Sequence, residues 1–293
     1  MKQRVALAAV ISVAAVLFAG AAFAGVPFIN LEGVGGVAFN PLAYPAVTPT
    51  KDGSQDTVGK PRFGAWYVNL NGSDIDWFTV GVADTFFKRL ELSYGYESVN
   101  LGPKLFSLDT NLGAAGLSQN VHKNNIGAKL LLLEENSFGT KFLPAVSVGT
   151  IFKNTSFSVE KLGDTRTGKN GFDAYLVATK LIPQLPLPVL VSAGVLSSSG
   201  QVNGILGFNE GRRETFFGNI DVLPLENVAV GFEYKQGPSF GNFKNADYWN
   251  AHVGWFVNKS LTLIAAYAYA GDNRSGTVVG LGGGPVISAQ YEF

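Results

Sequence analysis

The chain has no cysteine, so neither a disulfide framework nor a thiolate metal site is open to it. Charge is sparse too: Asp, Glu, Lys and Arg make up 15% of the 293 residues, against about 25% in soluble domains. The 22 basic and 22 acidic residues cancel, which gives no hint of a nucleic-acid partner. Histidine occurs only as His122 and His252. No pair of His, Asp or Glu has ligand-like spacing, so neither a metal nor any other cofactor is expected. Gly33-Val34-Gly35 and Gly282-Gly283-Gly284 precede no amphipathic helix, which argues against a phosphate cradle. Long apolar runs are missing after the first two dozen residues. The best helical candidate, Tyr175 to Leu196, is broken by Lys180 and by Pro183, Pro186 and Pro188. Even so, 46% of the chain is hydrophobic. High apolarity without a spanning helix points to strands, because only helices and closed barrels satisfy every backbone polar group in lipid.

At the N-terminus, Lys2 and Arg4 precede an apolar run from Val5 to about Phe18, and Ala22-Phe23-Ala24 supplies a small-x-small cleavage pattern. Residues 1–24 are therefore expected to be a signal peptide cut near Ala24, and the chain to be exported. Removing Lys2 and Arg4 from the 22 basic residues leaves 20 against 22 acidic, a net charge near −2.

From residue 61 onward, alternation with period two recurs. Leu90, Leu92, Tyr94 and Tyr96 oppose Arg89, Glu91, Ser93, Gly95 and Glu97. Val228, Val230, Phe232 and Tyr234 oppose Ala229, Gly231, Glu233 and Lys235, and Trp249, Ala251, Val253 and Trp255 oppose Asn250, His252, Gly254 and Phe256. The polar sets are too small or too polar for a sandwich core. Strands are expected at 61–70, 75–83, 89–98, 121–133, 143–153, 171–182, 188–197, 213–222, 227–236, 246–257, 260–270 and 285–293. The fold class is all-β: an antiparallel transmembrane β-barrel of about twelve strands over 61–293. Short inner turns and long outer loops (99–120, 154–170, 198–212, 237–245 and 271–284) alternate as outer-membrane barrels require; only Asn71 to Asp74 breaks the rhythm.

Residues 25–60, rich in Gly and Pro and without steady alternation, read either as a plug in the lumen or as a periplasmic tail. The plug candidates are Phe28, Glu32, Gly35, Gly36, Phe39, Asn40, Pro41 and Tyr44. The last strand ends Tyr291-Glu292-Phe293. A terminal Phe with an aromatic two residues earlier resembles the signal by which Gram-negative outer-membrane proteins meet their barrel assembly machinery. The motif Asn30-Leu31-Glu32-Gly33-Val34-Gly35-Gly36, continuing to Asn40-Pro41, resembles the start of a family of uncharacterised proteobacterial outer-membrane barrels. A second resemblance is to outer-membrane transporters of fatty acids and hydrocarbons, whose hatch carries Asn-Pro-Ala where this chain has Asn40-Pro41-Leu42, in larger barrels.

About twelve strands imply a narrow lumen. Its expected lining is Arg89, Glu91, Glu97, Lys129, Asp173, Arg213, Glu233, Lys235, His252 and Glu292, of both signs. The leading expectation is a porin-like channel for small solutes in the outer membrane of a Gram-negative bacterium, in contact with lipid and lipopolysaccharide. The alternatives are a structural or adhesive barrel with a filled lumen, or a plugged barrel that moves a hydrophobic compound past Phe28, Phe39 and Tyr44. An enzyme is not expected. Ser239 and Ser275 are only nominal nucleophiles, and Val253-Gly254 after His252 departs from the His-x-Ser of outer-membrane phospholipases.

Overall fold

The computed structural model describes residues 28–46, 57–102, 119–158, 161–162, 165–241, 243–271 and 278–293. The expected signal peptide, Ser275 and most of the loop at 99–120 lie outside the described residues. Twelve long strands form the barrel: β1 (Arg62–Leu70), β2 (Ile75–Phe86), β3 (Leu90–Leu101), β4 (Gln119–Leu133), β5 (Ala145–Thr155), β6 (Asn170–Ile182), β7 (Val189–Gly200), β8 (Phe208–Leu225), β9 (Val228–Lys235), β10 (Tyr248–Phe256), β11 (Leu261–Tyr269) and β12 (Gly283–Glu292). Each pairs antiparallel with the next. β12 then closes on β1, from Val286 opposite Val68 to Glu292 opposite Arg62. Closure leaves no free edge, so the barrel's backbone polar groups are satisfied within its own wall.

Every expected strand is present. β8 departs most, running 208–225 rather than 213–222. Its early part carries no simple alternation, because there it pairs with Thr165–Gly168 and, past an irregularity at Ser198/Gly200, with the end of β7. The outer loop between β7 and β8 shrinks accordingly to 201–207. At that same end, Ser239–Phe240, Phe243–Asn245 and Val278–Val279 form a small separate sheet.

The side-chain pattern inverts that of a soluble protein. Leu92, Tyr94, Val230, Phe232, Val253, Trp255 and Ile287 are exposed, while Glu91, Ser93, Glu97, Glu233, His252, Ser288 and Gln290 are buried. Aromatic rings collect outside near both ends of the barrel. Phe293 packs on Tyr291 (4.9 Å) and Phe63 (5.5 Å) at the short-turn end, and Trp249 packs on Phe232 (6.0 Å) and Tyr269 (5.4 Å) nearer the loops. Such girdles mark the two water–lipid boundaries of a transmembrane barrel. If this face meets lipid, Ile287→Arg, at mid-strand in β12, is expected to lower barrel stability by about 2–4 kcal/mol in bilayers. Urea unfolding in lipid vesicles reads the change, and an unaltered midpoint would contradict it.

The barrel is not hollow. Phe28 to Ala46 lie inside it, almost wholly buried, with Phe28, Leu31, Val37, Ala38 and Leu42 packed against inward residues such as Trp66, Val68 and Phe256. The described part of the N-terminal stretch, residues 28–46, thus lies against the inward side chains of the wall.

Candidate functional site

The inner segment begins as a tight hairpin in which Phe28 and Ile29 pair with Gly36 and Gly35. Asn30 organises the turn: its Oδ1 accepts the amides of Glu32 (2.9 Å) and Val34 (3.0 Å), an Asx turn of the kind Asn favours. Gly33 sits at φ +86°, where its backbone presses on the wall. That wall is itself glycine: Gly64, Gly81 and Gly95 lie side by side on β1, β2 and β3. A Cβ on Gly95 would stand 2.4 Å from the Glu32 carbonyl oxygen, and one on Gly81 2.7 Å from Gly33 Cα. The contact is backbone against backbone, which only glycine permits.

Charged groups then fasten the segment in three places. Toward the short-turn end, Glu91 accepts the amides of Gly35 (2.8 Å) and Ala46 (2.7 Å) and pairs with Lys129 (2.8 Å). Lys129 in turn donates to the carbonyls of Gly35 (2.8 Å) and Tyr44 (2.9 Å). On the β9 side, Glu233 accepts the amides of Ala38 (3.0 Å), Phe39 (3.3 Å) and Asn40 (3.1 Å), and Asn40 Nδ2 donates to the strand carbonyls of Gly218 and Tyr234. Nearer the loops, Glu32 pairs with Lys123 (3.2 Å) and Lys153, which also pair with Glu97 (2.9 Å) and Asp173 (2.6 Å) respectively. Asn203, from the β7–β8 loop, completes this cluster by donating to Glu32 (2.9 Å) and accepting from Lys123. Burial alone would push the Glu32 carboxyl up, but Lys153, Lys123 and Lys235 outweigh it and hold the group well below the usual carboxylate range. Toward the short-turn end, Tyr44 donates to Glu135 (2.6 Å); burial and that carboxylate raise its hydroxyl above its ordinary value.

The structure thus gathers Glu91, Glu97, Lys129, Asp173, Glu233 and Lys235 in the interior, with the inner-segment residues Phe28, Glu32, Gly35, Gly36, Phe39, Asn40, Pro41 and Tyr44 among or beside them. His252 lies there too, held by Asp221 (2.8 Å) and Asn250 (2.9 Å). Glu292 pairs with Arg62 (2.9 Å) at the short-turn mouth. Two expectations are corrected. Arg89 lies in the exposed β2–β3 turn, bound to Glu134 (2.7 Å), because the strand begins one residue later. Arg213 keeps the inward parity but stands exposed at the loop end, where it donates to the Ser239 carbonyl and lies over the Phe240 ring. Lys123, Lys153, Arg62, Asp221 and Asn203 were not foreseen. The first two sit at inward positions of β4 and β5 and follow from extending the alternation; Asn203, in a loop, gives no such signal. Among the described residues no group of three His, Asp or Glu is arranged to hold a metal ion.

Comparison with known proteins places this geometry. Residues 25–277 match the family model described as "Protein of unknown function (DUF3034)". The chain belongs to that family. No curated protein matches it in sequence. Among solved structures it is similar to the KdgM porin, at 14% identity and a TM-score of 0.50, over 79% of this chain and 99% of that one. It is also similar to the outer membrane protein Omp33 of Acinetobacter baumannii, at 11% identity and a TM-score of 0.40, over 82% of this chain and 100% of that one. The first of these likenesses shows the fold shared by this DUF3034 chain: a closed antiparallel barrel of porin type.

Proposed function

We propose that the protein is an outer-membrane barrel that passes small solutes in a gated manner, with the inner segment as its plug. The observation that carries the reading is how the segment is held. Besides apolar packing and hydrogen bonds with Trp66, Ser147, Thr179 and Gln290, the segment is held by carboxylates and ammonium groups of the wall, Glu91, Lys129, Glu233, Lys123 and Lys153, which water can solvate once the segment leaves. A barrel filled only for rigidity would be more stable with apolar residues at those places, since buried ion pairs add little net stability over well-packed hydrophobes. The porin fold supports the reading, and the KdgM structure was also solved "in complex with disordered oligogalacturonate". Export by a signal peptide cleaved near Ala24, insertion through the barrel assembly machinery by way of Tyr291 and Phe293, and contact with lipopolysaccharide belong to the same proposal.

The test is planar-bilayer conductance of the chain from Gly25 against one starting at Lys60. The proposal expects a closed or rarely open full chain and a conducting shortened one. Equal conductance would make 25–59 a tail on a simple pore, and none in either would leave a structural barrel.

A further inference from the structure

Three lysines of the wall converge on one carboxylate that is not part of the wall. Lys123 of β4, Lys153 of β5 and Lys235 of β9 are all buried, and all three act on Glu32 of the inner segment. Glu32 Oε1 pairs with Lys123 (3.2 Å) and with Lys153, and it accepts a hydrogen bond from Asn203 Nδ2 (2.9 Å). Lys235 donates to Asn203 Oδ1 (3.1 Å) and finds its strongest counter-charge in Glu32. Among the described residues the wall itself adds Glu97, on Lys123 (2.9 Å), and Asp173, on Lys153 (2.6 Å). With the segment in place the charges of this cluster cancel; once Glu32 leaves, one positive charge stands over. The four donors do not leave with it. β4, β5 and β9 are paired strands of the closed barrel. Asn203 is held from the wall side, since Lys123 donates to its carbonyl (2.7 Å) and the neighbouring Val202 amide donates to Asn245 Oδ1 (2.8 Å). Val202 and Asn203 stand at φ +48° and +56°, a region that a β-branched residue enters only where its surroundings fix it.

A positive charge left over among buried donors calls for an anion. We propose that Lys123, Lys153, Lys235 and Asn203 form a carboxylate-binding site of the lumen, which Glu32 fills in the closed barrel and which the carboxylate of a small hydrophilic acid takes when the segment withdraws. Glu32 itself shows that a carboxylate fits these donors. A single surplus charge flanked by Glu97 and Asp173 suits a monoanion, whereas a phosphate dianion would meet repulsion from both. The surroundings suit a hydrophilic body, with Asn125 on Glu97 (2.6 Å) and Asn245 on the Val202 amide. A ligand in the place of Glu32 binds only the withdrawn state, so it favours opening by mass action. The inference names a solute class for the proposed gated barrel and rests on that reading for its role in passage. Occupancy of the site requires no conductance, so the two fail separately.

Glu32→Ala in the full chain from Gly25 removes a carboxymethyl group and leaves room for acetate. In lipid nanodiscs, protease is expected to cut the inner segment of this variant at least tenfold faster than that of the unaltered chain. Acetate should restore protection saturably, to within about twofold, whereas acetamide, or chloride at equal ionic strength, should not. Gluconate, too large for the closed site, should bind the variant in calorimetric titration at least tenfold tighter than its neutral counterpart sorbitol, without restoring protection. In Glu32→Ala/Lys153→Met the surplus charge is gone, so acetate should no longer protect and gluconate should bind no tighter than sorbitol. Heat-modifiable gel mobility shows that each variant is folded. Unchanged protection in Glu32→Ala would overturn the inference, as would the absence of rescue by acetate or equal rescue by acetamide. So would gluconate binding no tighter than sorbitol in the single variant, or undiminished acetate rescue in the double one.

Discussion

Glu91→Ala is expected to release the inner segment from the barrel wall. The Glu91 carboxylate accepts two backbone amides of the segment and neutralises Lys129, whose side chain is fully buried. Without it, Lys129 keeps only the carbonyls of Gly35 and Tyr44. An uncompensated buried charge of this kind costs about 3–5 kcal/mol. The barrel's own hydrogen-bonded wall does not depend on Glu91, so the loss falls mainly on docking of the segment. At about 1.4 kcal/mol per factor of ten, the undocked population rises a hundredfold or more. Limited proteolysis within 28–46 reads that rise, and conductance should approach that of the chain starting at Lys60. The double variant Glu91→Gln/Lys129→Met removes both charges and should be milder than Glu91→Ala, as coupling between direct partners requires. Unchanged protease protection in Glu91→Ala would contradict the assigned role.

Gly95→Leu should evict the same segment without touching a charge. The added Cβ would stand 2.4 Å from the Glu32 carbonyl oxygen and 2.8 Å from Gly33 N, both backbone atoms that cannot rotate aside. Gly33 cannot yield by taking a side chain of its own, since its Cβ would fall 2.5 Å from the Tyr94 carbonyl oxygen. β3 accepts an inward leucine once the segment has gone, so the barrel should still fold and migrate as a heat-modifiable band. Gly211→Leu is the control, because nothing but an arginine side-chain nitrogen 4.0 Å away approaches that position. A closed, protease-protected Gly95→Leu barrel would mean that the wall and the segment are not in contact.

The barrel was legible because lipid outside and polar filling inside impose opposite demands on successive residues. The period-two pattern therefore survived in almost every strand, and faces assigned from Leu92, Val230 and Trp255 match the structure. Where an outside demand is missing, as in the first part of β8 beyond Thr215, the pattern fades and the expected boundary fell short. Arg89 shows the complementary limit: alternation assigns a parity but not the residue at which a turn begins. The N-terminal motif was visible as a motif only. Its meaning needed three dimensions, with Asn30 folding the turn, Glu32 reaching Lys123 and Lys153, and Gly33 meeting a row of glycines from strands distant in sequence. The apolar side of the lumen was equally hidden, because the inward alanines and valines of β11, β12 and β1 look like ordinary strand residues until they face Leu31 and Phe39 across the lumen.

The central claim is that Phe28 to Ala46 lie within the closed barrel. Because the chain has no cysteine of its own, one introduced thiol reports on one place. Ala43 is fully buried and small enough for Ala43→Cys, whereas Val58, 47% exposed, gives Val58→Cys as the open reference. The measurement is the maleimide labelling rate of each in the folded protein in bilayers. The account predicts that Ala43→Cys labels at least a hundredfold more slowly than Val58→Cys and catches up when Gly95→Leu is added. Equal rates in the otherwise unaltered chain would place the segment outside the barrel and contradict the account.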